Sequence, residues 1–134
     1  MNSEEASKVA VITGGGTGVG AATALALDAQ GWSVVICGRR IELLDAVADR
    51  LTNPCASVPL DVAQPEAVDQ LFATTIQKFG RVDLLFNNAG IGAPPVPIDE
   101  LPVRSWLEVV DINLTGTWLC SRAAFREMKA QKPS

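Results

Sequence analysis

Apolar and polar positions along this chain alternate between two regimes. Short, nearly continuous apolar runs at residues 9–12, 32–37, 56–60 and 82–86 read as strands covered on both faces, as in a buried parallel sheet. Between them the apolar residues recur every three or four positions, which predicts helices. Residues 18–30 carry Ala22, Leu25, Ala26 and Ala29; residues 41–51 carry Leu44, Val47 and Leu51. Residues 65–79 form the clearest amphipathic pattern, with Val68, Phe72, Thr75 and Phe79 in one stripe broadened by Leu71 and Ile76. Gly31, the Thr52-Asn53-Pro54 break and Gly80 close these helices. Pro59 cannot donate a ladder bond, which assigns its strand to the outside of the sheet.

The last third differs. Residues 91–101 are rich in proline and have no period. They follow a strand's carboxyl end, where open α/β sheets place ligands, and serve either as a pocket wall or as a stiff connector. From Pro102 to about Lys129 a long helical pattern runs through Leu107, Val110, Leu114 and Trp118. Asn113-Leu114-Thr115-Gly116-Thr117 sits in its middle, and such poor helix formers need tertiary support to continue a helix. Trp118 and Phe125 are read as core or subunit-contact residues.

Strand and helix in strict alternation predict an α/β fold, a doubly wound parallel sheet. The connection from the first strand to the first helix, Thr13-Gly14-Gly15-Gly16-Thr17-Gly18-Val19-Gly20, then acquires a chemical meaning. Main chain without side chains admits a pyrophosphate closely, and the N–H groups that open the helix face the anion with the helix dipole behind them. A G-x-G-x-x-G reading places its last glycine on Val19; T-G-x-x-x-G-x-G fits without forcing, through Gly14, Gly18 and Gly20.

Composition narrows the possibilities. At 134 residues and 48% hydrophobic, the chain is one domain's worth, residues 1–134, able to bury a core. A net charge of −4 with no basic block argues against nucleic acid as partner. No apolar run reaches the ~18 residues of a membrane span, and the polar, acidic opening Met1-Asn2-Ser3-Glu4-Glu5 has no secretory character. Cys37, Cys55 and Cys120 are irregularly spaced; they suggest no metal site and no disulfide framework, and are read as reduced thiols of a cytosolic protein.

At the end of the second strand stands Gly38, then Arg39 and Arg40. In nicotinamide folds an acid here accepts from the ribose 2′-OH of NAD, whereas arginine accommodates the 2′-phosphate of NADP. NADP is therefore favoured over NAD, with a plainer reading left open in which both arginines solvate the start of the next helix.

The wide glycine spacing, and Asn87-Asn88-Ala89-Gly90 directly after an apolar strand, resemble the short-chain dehydrogenase/reductase family, and the resemblance covers about residues 8–129. It implies a Rossmann-like sheet ordered 3-2-1-4 and a cofactor-binding set of Gly14, Gly16, Thr17, Gly18, Val19, Gly20, Arg39, Arg40, Asp61, Val62, Asn88, Ala89 and Gly90. Asp61 would hydrogen-bond the adenine amino group and Val62 contact the ring; capping of the next helix, by Asp61 or more naturally by Gln64 before Pro65, stays open. Members transfer a hydride between NAD(P)H and a carbonyl or alcohol, with a tyrosine moving the proton beside a lysine and a serine. Asn113 matches the family's helix-kinking asparagine, which holds a water of the proton relay. It is the one member of that tetrad expected here: in the family the Tyr-x-x-x-Lys pair and the serine follow the long helix, whereas this sequence stops at Ser134, has no tyrosine and has no histidine to substitute. The expectation is the cofactor-binding, N-terminal part of a longer NADP-preferring oxidoreductase, inactive by itself and a dimer or tetramer in full-length form. The alternative is a non-catalytic dinucleotide-binding or oligomerising module.

Overall fold

The Val9–Thr13 strand (β1) is buried along its whole length, and the sheet grows from both its sides. In the computed structural model, which describes residues 7–133, β1 pairs in parallel with Ser33–Gly38 (β2) and with Leu84–Phe86 (β4). Cys55–Pro59 (β3) adds to the far side of β2, so the order is β3-β2-β1-β4, as expected. Pro59 lies on an edge strand, where its missing donor costs no inner ladder bond. The Met1–Glu5 opening and Ser134 lie outside the described residues.

Period-two alternation divides the core. Ala10, Ile12, Val34 and Ile36 point to one face, where Gly18–Ala29 (α1) and Ile41–Ala48 (α2) cover them with Ala24, Leu44 and Val47. Val11, Val35 and Cys37 point to the other, against Pro65–Phe79 (α3) and Thr117–Ala130 (α5). Val68, Leu71 and Phe72 are almost wholly enclosed there, and each such side chain contributes about 1.5–3 kcal/mol.

The small-residue face of α1 differs from the sequence reading. Gly20, Ala24 and Asp28 are buried, whereas Ala22, Ala26 and Ala29 are exposed. Alanine and leucine occur on every side of this helix, so periodicity left its phase open. Helix α2 ends at Ala48, short of the expected Leu51. Asp28 supplies the reason: its carboxylate accepts from the N–H groups of Thr52 and Asn53 at 2.9–3.1 Å and from the Thr52 hydroxyl at 2.9 Å. That clamp pulls the chain out of the helix. Burial pushes the Asp28 carboxyl up, but the Asn53 and Thr52 N–H groups and the Thr52 hydroxyl outweigh it and hold it below its ordinary value.

The long final helix is interrupted. Val103–Val110 (α4) passes into a π-helical stretch, Asp111–Gly116, before α5. The poor helix formers fall in this wider turn, where the Thr117 hydroxyl donates to the Asn113 carbonyl at 2.9 Å. The extra residue of a π turn shifts the helix phase. Ile112, Gly116, Leu119, Cys120, Ala123 and Ala124 are the buried row. Leu107, Leu114 and Trp118, the row whose spacing announces the helix, are exposed. At the amino end of the sheet, the Gln131 side chain imitates a strand: Oε1 accepts from Val82 N at 3.0 Å and Nε2 donates to Val82 O at 2.6 Å. Among the described residues no helix is long and apolar enough to cross a membrane.

Candidate functional site

Every strand points its carboxyl end the same way, and β1 sits between neighbours whose connecting helices lie on opposite faces. Such a switch point leaves a crevice above β1. A cleft of about 220 Å³ opens there. Gly14, Gly16 and Thr17 form one wall, Gly38, Arg39 and Arg40 the end beyond β2, and Asp61, Val62, Ala89 and Gly90 the opposite side. Leu43, Leu44, Leu60, Ile91 and Ile112 complete it with apolar surface.

The glycines of the turn do different work. At Gly14 (φ 65°) an added Cβ would lie 3.1 Å from Ala89 Cα and from Asn88 Nδ2. At Gly20 it would run into the Gly14 carbonyl oxygen and come within 2.6 Å of Asn88 Nδ2. At Gly15 it would stand 2.7 Å from Ile36 Cβ, and at Gly16 it would meet Leu43 Cβ at 3.1 Å. These four are bare because protein fills the space. Gly18 has φ 51° and nothing within 4 Å, so there the space is open. Val19 is 65% exposed beside it. Thr17 occupies the N-cap of α1 without a side-chain cap bond, leaving the N–H groups of the first turn available to an outside acceptor.

Thr13 ties the turn to the neighbouring strand end, a role the sequence reading did not assign. Its hydroxyl accepts from Asn88 N at 3.0 Å and Ala89 N at 2.9 Å and lies 3.5 Å from the Phe86 carbonyl. Asn88 Nδ2 donates to the Gly14 carbonyl at 3.1 Å. Asn88 and Gly20 thus act behind the cleft wall, fixing where Gly14 and Ala89 stand. A single polar side chain closing an otherwise apolar strand was the available signal for Thr13. The apolar wall residues gave none, since a leucine facing a cleft has the same pattern as one facing a core.

Asp61 Oδ1 accepts from Ala63 N at 2.9 Å, and Gln64 stands at the N-cap of α3 without a side-chain bond. Val62 is pressed against α5's approach: a Cβ on Gly116 would lie 2.5 Å from Val62 Cγ2. Asn113 reaches the site through Ile91, exchanging hydrogen bonds with both its main-chain groups, and a Cβ on Gly90 would approach Asn113 Oδ1 to 3.3 Å. Arg39 and Arg40 are both exposed and differently held; Arg40 Nε donates to Glu42 at 3.2 Å, within its own helix turn. Among the described residues no group of three or more His, Cys, Asp or Glu stands together to hold a metal ion.

Residues 8–134 match the family described as short chain dehydrogenase. The chain belongs to the short-chain dehydrogenase/reductase family. It is 41% identical over 130 residues to a 3-oxoacyl-[acyl-carrier-protein] reductase of a Synechocystis strain, an alignment covering 94% of this chain and 52% of that protein. A 3-ketoacyl-(acyl-carrier-protein) reductase from Brucella melitensis, solved with NADH, superposes with a TM-score of 0.89 at 32% identity over 92% of this chain and 51% of that one. A metagenomic short-chain oxidoreductase in complex with NADP gives 0.88 at 32% identity over 93% and 58%. The chain thus spans about half the length of the curated relatives it matches.

Proposed function

We propose that residues 1–134 are the dinucleotide-binding portion of an NADP-preferring oxidoreductase acting on a carbonyl or alcohol. The observation that carries the reading is the glycine-rich turn after β1, where Gly14, Gly16 and Thr17 line the crevice and a Cβ at Gly18 would meet nothing within 4 Å. That space, and an α1 N-terminus without a side-chain cap, fit a diphosphate. Gly14, Gly16, Thr17, Gly18 and Val19 would hold it, with Gly20 and Asn88 keeping the turn in shape. Arg39 and Arg40 would face the adenosine 2′ position, Asp61 and Val62 the adenine, and Ala89 and Gly90 the ribose beyond.

When bound, the nicotinamide accepts or delivers the hydride. This chain's residues would bind and orient it, and Asn113 would keep Ile91 and Gly90 in place at the cleft. Proton transfer to the substrate oxygen needs a group of suitable pKa within hydrogen-bond reach; this chain has no tyrosine or histidine, so the chain alone is expected to be inactive. Thermal denaturation with added coenzyme tests the reading. At equal concentration the tighter-binding coenzyme stabilises more, by about 2.7 kcal/mol at 100 times its Kd, so NADP should raise Tm more than NAD. Equal shifts would remove the NADP preference, and no shift with either would remove the coenzyme reading.

A second reading rests on the outward face of α4, the π turn and α5. Trp106, Leu107, Leu114, Trp118 and Phe125 are exposed there, Leu114 and Phe125 each at 67%. An apolar row of this extent suits a second copy of the chain. Sedimentation of the native chain and of Leu114→Arg tests it: a dimer that dissociates in the variant supports an oligomerising module, and a native monomer removes it.

A further inference from the structure

The two arginines after β2 are not equivalent. Arg40 is engaged locally by Glu42, two residues away. Arg39 is approached from α4: its Nη1 lies 4.0 Å from Oε1 of Glu108, and both side chains are 53% exposed. Arg39, Asp61 and Ile112 line both the main cleft and an adjoining hollow of about 580 Å³, which Arg104, Glu108 and Asp111 flank on the α4 side. Glu108 therefore stands at the rim of the adenosine end, paired with a cation that lines it.

We propose that Glu108 is a coenzyme-specificity residue: its carboxylate holds and partly neutralises Arg39, so that the site distinguishes a ribose 2′-phosphate from a 2′-hydroxyl less sharply than Arg39 alone would. The inference rests on the dinucleotide reading above and on Arg39 facing the 2′ position. A pair this exposed and this long is weakly coupled, so an arriving phosphate can take the guanidinium over. Once there, the phosphate shares Arg39 with a carboxylate only one side chain away, and like charges in proximity disfavour each other. A 2′-hydroxyl meets no such repulsion. Glu108 thus supplies the opposing element that sets a ratio of affinities, and α4 contributes to selectivity although the usual determinants lie on the loop after β2.

The test is a titration of NADP and NAD against the native chain, Glu108→Gln, Arg39→Ala and the double variant, at low and high salt. Glu108→Gln should bind NADP about 1.5-fold to fivefold tighter, the range an exposed charge pair supplies, with NAD affinity unchanged. That unchanged affinity also reports an intact fold. The gain should be smaller in the Arg39→Ala background, where only direct carboxylate–phosphate repulsion remains to be relieved, and should shrink at high salt. An unaltered NADP/NAD ratio in Glu108→Gln, or a gain just as large without Arg39, overturns the role of Glu108; if Arg39→Ala still loses NADP selectively, the coenzyme reading survives. No selective loss in Arg39→Ala, or no binding of either dinucleotide to the native chain, overturns both.

Discussion

Asn113 and Ile91 are joined by a reciprocal pair of hydrogen bonds: Ile91 N donates to Asn113 Oδ1 at 2.8 Å, and Asn113 Nδ2 donates to Ile91 O at 2.8 Å. A side-chain amide thereby satisfies both main-chain groups of the residue that leaves the Asn-Asn-Ala-Gly turn. It anchors the proline-rich segment to the π turn and fixes Gly90 at the cleft.

Asn113→Ala should release that anchor. Two exposed hydrogen bonds at about 1 kcal/mol each predict a loss of about 1–2 kcal/mol in urea denaturation. Amide exchange should quicken at Ile91 while the β1 amides remain protected.

The glycines should separate by what surrounds them. Gly20→Ala places a Cβ against backbone and Asn88, and overpacking of that kind costs about 1–3 kcal/mol. Gly18→Ala meets no atom within 4 Å; it should cost about 1 kcal/mol for its left-handed φ yet weaken dinucleotide binding more than stability. Paired denaturation and binding curves check both.

Acid should loosen the α1 clamp. Asp28 has a depressed carboxyl pKa, so its contribution is present above the ordinary value of 3.8 and is lost as pH falls through the lower folded-state value. Asp28→Asn should be less stable than the native chain at pH 7, and the difference should narrow in strong acid, as read from urea midpoints against pH.

Alkali should act on the buried thiols. Burial pushes the Cys120 thiol up from 9.0 to about 11; burial, reinforced by Cys120, pushes Cys37 up as well. A raised pKa means that the unfolded chain loses its proton first. Their contribution is whole below pH 9 and declines as pH climbs, by up to roughly 1.4 kcal/mol per pH unit per thiol. The double variant Cys37→Ala, Cys120→Ala should show a shallower fall in stability between pH 9 and 11 than the native chain.

The sheet was legible because a buried parallel strand is written as a continuous apolar run, and α3 because its stripe is narrow and bounded by Pro65 and Gly80. The phase of α1 was not, since alanine marks no side. The buried row of α5 was hidden by the π turn, which moves the helix off a uniform period. At the site, the glycine spacing pointed to the right stretch but not to the division of labour within it. Gly14 and Gly20 answer to Asn88 and Ala89, some 70 residues away in sequence, and that contact exists only once β4 lies beside β1. The Arg39–Glu108 pair was illegible for the same reason.

Amide chemical-shift mapping of the 134-residue chain during an NADP titration tests the central claim most directly. The account predicts the largest shifts at residues 14–20, with further changes at residues 38–40, 61–62 and 89–91, and little movement at the opposite end of the sheet near Val82 and Gln131. Shifts absent from residues 14–20, or concentrated away from the β1 crevice, would contradict it.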